Sequence, residues 1–265
     1  GQMFGYVDGD RPYTGLSLTH GNAQGVTLGP SLNLGLRGVF SRRFTKSKLL
    51  DVCRTYGCTT FSILGGMATA IYSEPLKADD ADNPVRVVAS AGMPHAIWES
   101  FEKRFGVDIS EWYGAVEGGF AFKPVGVGPI GSFGKPGPET EMKILDENDN
   151  ECDVGVMGEI SSRPTSGSDP SVEYYKNPEA SKDKTRGGWL RSGDMGYRDE
   201  DGWFFFGYRR GGGIRHNGDF VNPSFVEKVI AENENVSDVF VYGVEAASGA
   251  PGEKDVVAAI VPVDK

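Results

Sequence analysis

The stretch Val85-Arg86-Val87-Val88-Ala89-Ser90-Ala91-Gly92-Met93-Pro94-His95-Ala96-Ile97-Trp98-Glu99-Ser100-Phe101-Glu102-Lys103-Arg104-Phe105 decides the fold class. Apart from Arg86, residues Val85 to Ser90 form an uncharged, mainly apolar run of strand length, the pattern of a strand covered on both faces. Pro94 stands where the first turn of a helix tolerates a missing N–H, and Ile97, Phe101 and Phe105 then recur every four residues. A buried strand feeding an amphipathic helix is one βα unit, and such units repeat on either side of it.

Upstream, Leu16 to His20 and Arg37 to Phe40 read as strand edges. From Lys46 to Tyr56 the positions Leu49, Val52, Cys53 and Tyr56 follow helical spacing, with Thr45 placed to cap the helix and Gly57 to stop it. Thr59 to Ile63 returns to strand, Gly66 to Tyr72 to helix, and the acidic residues from Lys77 to Pro84 read as a solvated loop. Downstream, Ile109 to Tyr113 leads into another turn. The expectation for residues 1–123 is an α/β subdomain, a parallel sheet with helices on both faces.

Between residues 124 and 138 glycine and proline dominate, which predicts a break in regular structure. Beyond it, Met142 to Leu145, Gly158 to Ser161, Trp189 to Arg191 and Trp203 to Phe206 are short β candidates separated by turn clusters at 146–149 and 199–202. This predicts a small antiparallel β subdomain, a barrel or sandwich, over residues 124–208. A third texture spans residues 209–265: a glycine run, a helix over 223–233 and strands over 236–242 and 255–262, the start of an α+β C-terminal domain.

With 265 residues and 38% hydrophobic content, the chain can bury a real core. A formal net charge of -10 repels polyanions, which argues against a nucleic-acid scaffold but leaves room for a small anion held by local donors. The longest apolar run, Val256 to Val263, contains a proline and is too short to span a bilayer, and no targeting segment is seen, so no membrane role and a cytoplasmic setting are expected. Cys53, Cys58 and Cys152 read as reduced packing residues. His20, His95 and His216 show no paired spacing with each other or with the cysteines, which argues against a Cys/His metal site.

Several clusters could carry chemistry, and each has a bland reading. Gly211 to Gly213 lacks the following Gly-Lys-Ser/Thr of a phosphate-binding loop and could be a connector. Tyr113-Gly114-Ala115-Val116-Glu117 could be an ordinary strand-to-helix turn. Ser192-Gly193-Asp194 could be a β-turn whose carboxylate bonds its own backbone.

In order and at their spacing, these clusters resemble the core motifs of the adenylate-forming superfamily: acyl-CoA synthetases, luciferases and peptide-synthetase adenylation domains. Leu18-Thr19-His20 looks like the segment whose last residue gates the acyl pocket. Ser90-Ala91-Gly92-Met93-Pro94 is similar to the family's Ser-Gly-Gly-Ala-Pro turn beside adenine, and Tyr113 to Glu117 stands for Tyr-Gly-Met-Thr-Glu. Gly134-Lys135-Pro136-Gly137 resembles the next element. Gly188-Trp189-Leu190-Arg191-Ser192-Gly193-Asp194-Met195-Gly196 matches Gly-Trp-x-x-Thr-Gly-Asp-x-Gly and is the most specific signal. Arg209 to Ile214, with Gly218, Asp219 and Glu227, resembles the hinge and the start of a mobile C-terminal domain, closest to carnitine-type CoA ligases.

The resemblance implies an ATP-dependent, AMP-forming carboxylic acid–CoA ligase using ATP, Mg2+ and coenzyme A on a small or medium acid, with a homodimer as one assembly open to it. It implies catalytic roles for His20, Glu117 and Arg209, Glu117 being the magnesium ligand. Nucleotide or CoA contacts would come from Ala91, Gly92, Met93, Tyr113, Gly114, Asp194, Arg209 and Gly218. The chemistry suits these residue types. Attack of a carboxylate on the α-phosphorus needs in-line positioning and stabilisation of spreading negative charge. Asp194 is a short ionised acceptor able to take both ribose hydroxyls, and Arg209 stays charged at any relevant pH. Glu117 offers a hard oxygen ligand. Gly211 to Gly213 would permit the hinge rotation that presents the second half-reaction, and Gly218 would let the pantetheine arm pass. Acyl-pocket walls are expected at residues 20–23, 62–66 and 115–120, with Phe120 and Phe122 as apolar lining.

The pattern departs from the family in places. The phosphate loop ending in Pro-Lys and the C-terminal catalytic lysine match no segment, so the expectation is a portion of a longer enzyme. Val116 replaces the usual threonine, Gly212 the usual acidic or polar hinge residue, and Gly218-Asp219-Phe220 the usual Gly-Glu-Asn. An adenylation enzyme loading a carrier-protein thiol shares every motif. A non-catalytic nucleotide-binding module is favoured by Val116 and the unmatched lysines and opposed by the hinge. A plain α/β domain explains each motif but not the ordered set.

Overall fold

In the computed structural model, residues 2–210, 214–216, 219–233, 235–247 and 254–263 are described. The first half runs β1 (Pro12–Thr14), α1 (Gly29–Asn33), β2 (Val39–Phe40), α2 (Leu49–Tyr56), β3 (Thr60–Leu64), α3 (Gly65–Tyr72), β4 (Val87–Ala91), α4 (Trp98–Phe105) and β5 (Asp108–Ala115). These five strands pair in parallel in the order β2-β1-β3-β4-β5. The βα reading of residues 85–105 therefore holds.

Why the strands need cover on both faces is visible in their alternation. Val88 and Ile109 lie in a core with Leu49 and Cys53 of α2, Ala68 and Ile71 of α3, and Trp98, Phe101 and Phe105 of α4. Ala89 and Trp112 belong to a second cluster with Phe4, Tyr6 and Val26, the last from a helical segment at Ala23–Leu28. Helix α2 stops at Gly57, whose φ of 62° is left-handed, and the N–H of Cys58 returns to the Cys53 carbonyl at 2.8 Å. Gly106 ends α4 in the same way with φ 64°.

The sheet continues through β6 (Gly118–Lys123), β7 (Ser132–Pro136), β8 (Thr140–Leu145), β9 (Gly158–Pro164), β10 (Leu190–Arg198) and β11 (Phe204–Arg209), with α5 (Pro178–Lys184) between β9 and β10. Its order becomes β5-β6-β7-β11-β10-β9-β8, with antiparallel pairing at β5–β6, β6–β7, β7–β11 and β8–β9. The strand order is open at β2 and β8 rather than closed as a barrel. Asn177 caps α5 by accepting the Ala180 N–H at 3.1 Å, with Pro178 at the first position.

Four local expectations are corrected. Residues 16–20 form an exposed turn instead of a strand, because the Ser17 hydroxyl accepts from the Thr19 N–H and the Ser17 carbonyl from the His20 N–H. Thr45 makes no side-chain cap; the turn at Lys46–Lys48 is 3₁₀, closed by the Lys48 N–H on the Thr45 carbonyl. Strand β7 lies inside residues 124–138, paired on both edges. The acidic loop at 77–84 is not wholly solvated, since Asp80 is buried against Arg104 at 2.8 Å.

Gly134 shows why β7 tolerates no side chain. It has φ 108°, and a Cβ there would lie 2.0 Å from the Phe122 carbonyl carbon of β6. Gly134→Ala is expected to cost about 2–3 kcal/mol through backbone strain and overpacking. A denaturant midpoint within error of the parent's would refute this.

The chain divides into two compact units, residues 1–192 with 196–206, and residues 193–195 with 207–265. The smaller unit contains β12 (Ile214–His216) paired antiparallel with β13 (Asp219–Val221), then α6 (Pro223–Ala231), and β14 (Val236–Glu245) paired antiparallel with β15 (Lys254–Pro262). Among its described residues Ile214 and Val241 are buried, and Glu227 of α6 accepts the Val241 N–H at 2.8 Å. Among the described residues no helix is long and apolar enough to cross a membrane. The three cysteines are unpaired, with Cys53 and Cys58 buried, consistent with packing roles.

Candidate functional site

In the larger unit, the turn at Ala91, Gly92 and Met93 leaves the C-terminal end of β4. This is the end of a parallel sheet where ligands gather, because side chains and loops there face an open crevice. Gly92 takes φ 88°, and it approaches α3 so closely that a Cβ on Gly65 would lie 2.3 Å from the Gly92 carbonyl oxygen. Gly92 is exposed and Met93 buried.

Beneath the turn lies Glu111 of β5, opposite Ser90 in the register. Its Oε1 accepts the Gly92 N–H, and the Met93 N–H reaches the same carboxyl group at 3.2 Å. Burial pushes the Glu111 carboxyl up to about 8, against the opposing pull of the Gly92 and Met93 N–H groups and of Lys123. Between about pH 4.5 and 8 the folded chain therefore holds a proton that the unfolded chain has released. Its contribution to stability is complete below the unfolded pKa and disappears as pH rises through 8. Glu111→Gln should flatten the fall in melting temperature across that window; equal slopes for both proteins would contradict the assignment.

Residues 113–118 form a hairpin, correcting the strand-to-helix alternative: Ala115 pairs with Gly118 across a turn at Val116 and Glu117. Tyr113 stacks on Phe133 with ring centroids 4.4 Å apart, which fixes the plane of its ring. A Cβ on Gly114 would meet Phe120 Cδ1 at 2.4 Å, which explains the glycine by space alone. Glu117 accepts a hydrogen bond from the Tyr174 hydroxyl at 2.7 Å. Tyr113, Glu117, Ser162, Lys184 and Leu190 line one pocket, and Lys184 Nζ donates to the Ser192 carbonyl at 3.2 Å. Sequence reading passed over Tyr174 and Lys184, which lie in a polar, turn-rich stretch without periodicity. Glu111 was also missed, although an acid inside the run Ile109-Ser110-Glu111-Trp112 was a signal available to it.

His20 is exposed, and its Nδ1 accepts the Asn22 N–H at 3.1 Å, which leaves the proton on Nε2 in the neutral ring. A Cβ on the adjacent Gly21 would lie 3.1 Å from Val116 Cγ2. The expected acyl-pocket walls at 20–23 and 115–120 are thus in contact. Phe122 joins the margin of the second core cluster, whereas Phe120 is partly exposed.

In the smaller unit Asp194 of β10 and Arg209 of β11 come together, with Oδ1 and Nη1 3.8 Å apart. Asp194 is 9% exposed, whereas the Arg209 side chain is 71% exposed. The Arg210 N–H donates to the Gly193 carbonyl at 2.6 Å and holds the turn before Asp194. Gly211 to Gly213 and Gly218, expected at the hinge and the pantetheine channel, lie outside the described residues.

Among the described residues, no group of three or more His, Cys, Asp or Glu side chains could hold a metal by itself. Glu117 alone suits a magnesium ion that takes most of its oxygen ligands from phosphates and water.

A family profile described as AMP-binding enzyme matches residues 2–166. The chain is 34% identical over 247 residues to a medium/long-chain-fatty-acid–CoA ligase of Mycobacterium marinum, covering 92% of this chain and 48% of the relative. It is 28% identical over 245 residues to a crotonobetaine/carnitine–CoA ligase of Salmonella typhimurium, covering 91% and 47%. Among solved structures, the o-succinylbenzoate coenzyme A synthetase of Bacillus subtilis, in complex with ATP and magnesium, matches with a TM-score of 0.76 and 25% identity, over 97% of this chain and 53% of that one. The chain spans about half the length of the curated relatives it matches.

Proposed function

The chain belongs to the AMP-binding enzyme family, and from that premise we propose that it is the nucleotide-binding and hinge portion of an AMP-forming carboxylic acid–CoA ligase. The observation that carries the reading is the pairing of Asp194 with Arg209, two residues that separate motifs had assigned to ligand contacts. The ligase names of the relatives support it.

In this reading Asp194 accepts both ribose hydroxyls, and Arg209 donates to ribose and phosphate oxygens. Tyr113 supplies an aromatic ring for adenine beside the Ala91 to Met93 turn. Glu117, oriented by Tyr174, supplies a protein oxygen to magnesium, which when bound neutralises charge on the phosphates. His20 borders the acid. The roles of Gly218 toward the pantetheine arm and of Gly211 to Gly213 as a hinge for the thioester half-reaction come from the motif resemblance alone and belong to the same proposal. The subdomain limits at 123 and 208 belong to the same proposal, as do a cytosolic setting, which the three free cysteines support, and a homodimer.

The test is thioester formation. The whole gene product, given ATP, Mg2+ and an accepted acid, should acylate free coenzyme A. Acylation of a carrier-protein thiol with free coenzyme A inert would move the assignment to a carrier-loading adenylation enzyme.

A further inference from the structure

The turn proposed to lie beside adenine, Ala91 to Met93, is held by a contact from outside it. Ser90 and Glu111 form the last parallel pair of β4 and β5, and beyond it Gly92 turns out of the ladder with φ 88°. The N–H groups of Gly92 and Met93 are thereby left without strand partners. Buried backbone donors in that position must be satisfied from elsewhere.

Glu111 satisfies both. Its carboxyl receives the two consecutive N–H groups from below, while Gly65 blocks movement toward α3. A carboxyl group buried within a strand is costly, and its buried neighbours on β5 are the apolar Ile109 and Trp112 and the neutral Ser110. The charged groups around it are few. Lys123 stands opposite it on β6, with Nζ 4.4 Å from the centre of the Trp98 ring, and Glu102 of α4 accepts the Ile109 N–H on the same strand. Glu102 is engaged by the Ile109 N–H and the Lys123 ammonium offers no acceptor, so the Gly92 and Met93 N–H groups are left to Glu111.

We infer that Glu111 is a positioning residue for the nucleotide: it holds the Gly92–Met93 backbone in the shape that receives adenine, and it acts through that turn without touching the ligand. The inference rests on the proposed nucleotide role of the turn. It requires an oxygen acceptor at the end of a side chain of this length. Glutamine meets the requirement, aspartate falls short by one methylene, and leucine fills the space without accepting.

The experiment measures KM for ATP and for the acid by pyrophosphate release from the whole gene product, with circular dichroism to confirm folding. Glu111→Leu should raise the ATP KM roughly tenfold, the effect of losing one to two hydrogen bonds, with the acid KM within about twofold of the parent. Glu111→Asp should behave in the same way and serves if the leucine variant does not fold. Glu111→Gln should return the ATP KM to within about threefold of the parent. A folded leucine or aspartate variant with the parent's ATP KM would overturn the inference while leaving the nucleotide site standing. So would a glutamine variant as impaired as leucine. A parent protein that binds neither ATP nor AMP would overturn both.

Discussion

Asp194→Ala is expected to raise the ATP KM of the whole enzyme by roughly a hundredfold, the loss of two charge-assisted hydrogen bonds. The structure explains why the effect should be large. Asp194 is mostly buried on β10 and the Gly193 carbonyl is fixed by the Arg210 N–H, so the carboxylate is held before any ligand arrives. Its contact with Arg209 at 3.8 Å is longer than a good charged hydrogen bond, and Arg209 is exposed, so this ion pair adds little stability. Alanine should therefore leave the fold intact and act on the nucleotide. Asp194→Asn, which keeps one acceptor oxygen, should raise KM by roughly tenfold. Initial rates at varied ATP would show it, and an unchanged ATP KM in Asp194→Ala would remove the ribose assignment.

The largest stability effect is expected at Arg104. Its guanidinium reaches Asp80 at 2.8 Å and the carbonyls of Tyr72, Glu74 and Pro75, and it lies 4.8 Å from the Phe105 ring centre. One residue of α4 thus ties down the segment after α3 and the loop before β4. Both members of the ion pair are nearly buried, with side-chain exposures of 9% and 8%. Arg104→Ala leaves Asp80 and three carbonyls without that partner. Removing one member of a buried pair costs about 3–5 kcal/mol, which for a unit of this size lowers the melting temperature by about 10 °C. Burial alone would raise the Asp80 carboxyl, but the Arg104 guanidinium and the Lys77 N–H outweigh it and leave it lowered. A lowered carboxyl contributes stability that is present above its unfolded pKa and lost as pH falls through its folded value. The melting difference between parent and variant should accordingly shrink in acid. A difference that stays constant down to pH 2 would mean that lost packing, not the charge pair, dominates.

The parallel half of the fold was legible because its strands and helices each obey one period. The strand expected at Val85 to Ser90 is present as β4, shifted to Val87–Ala91, and the Ile97, Phe101, Phe105 repeat runs from a 3₁₀ turn at His95–Ile97 into α4. Where side chains compete with the backbone, the reading failed. Ser17 turns residues 16–20 out of a strand through its own hydroxyl, a choice invisible to hydrophobic pattern. Strand β7 was hidden for the opposite reason: Gly134 and its neighbours look like a breaker, yet the close approach of Phe122 demands a glycine within the ladder. For the proposed site, motif order in the sequence pointed to Tyr113, Glu117, Asp194 and Arg209. Tyr174 carries no such signal, and for Glu111 an acid within an apolar strand run marks the residue but not its long-range contact with Gly92.

The central claim is that this chain holds ATP for attack by a carboxylic acid. Exchange of labelled pyrophosphate into ATP by the whole gene product, across a broad panel of acids, tests it most directly. The account predicts exchange that requires both Mg2+ and a cognate acid and that is sharply weakened in Asp194→Ala. Tight nucleotide binding with no acid-dependent exchange from any member of the panel would contradict it and leave a non-catalytic nucleotide-binding module.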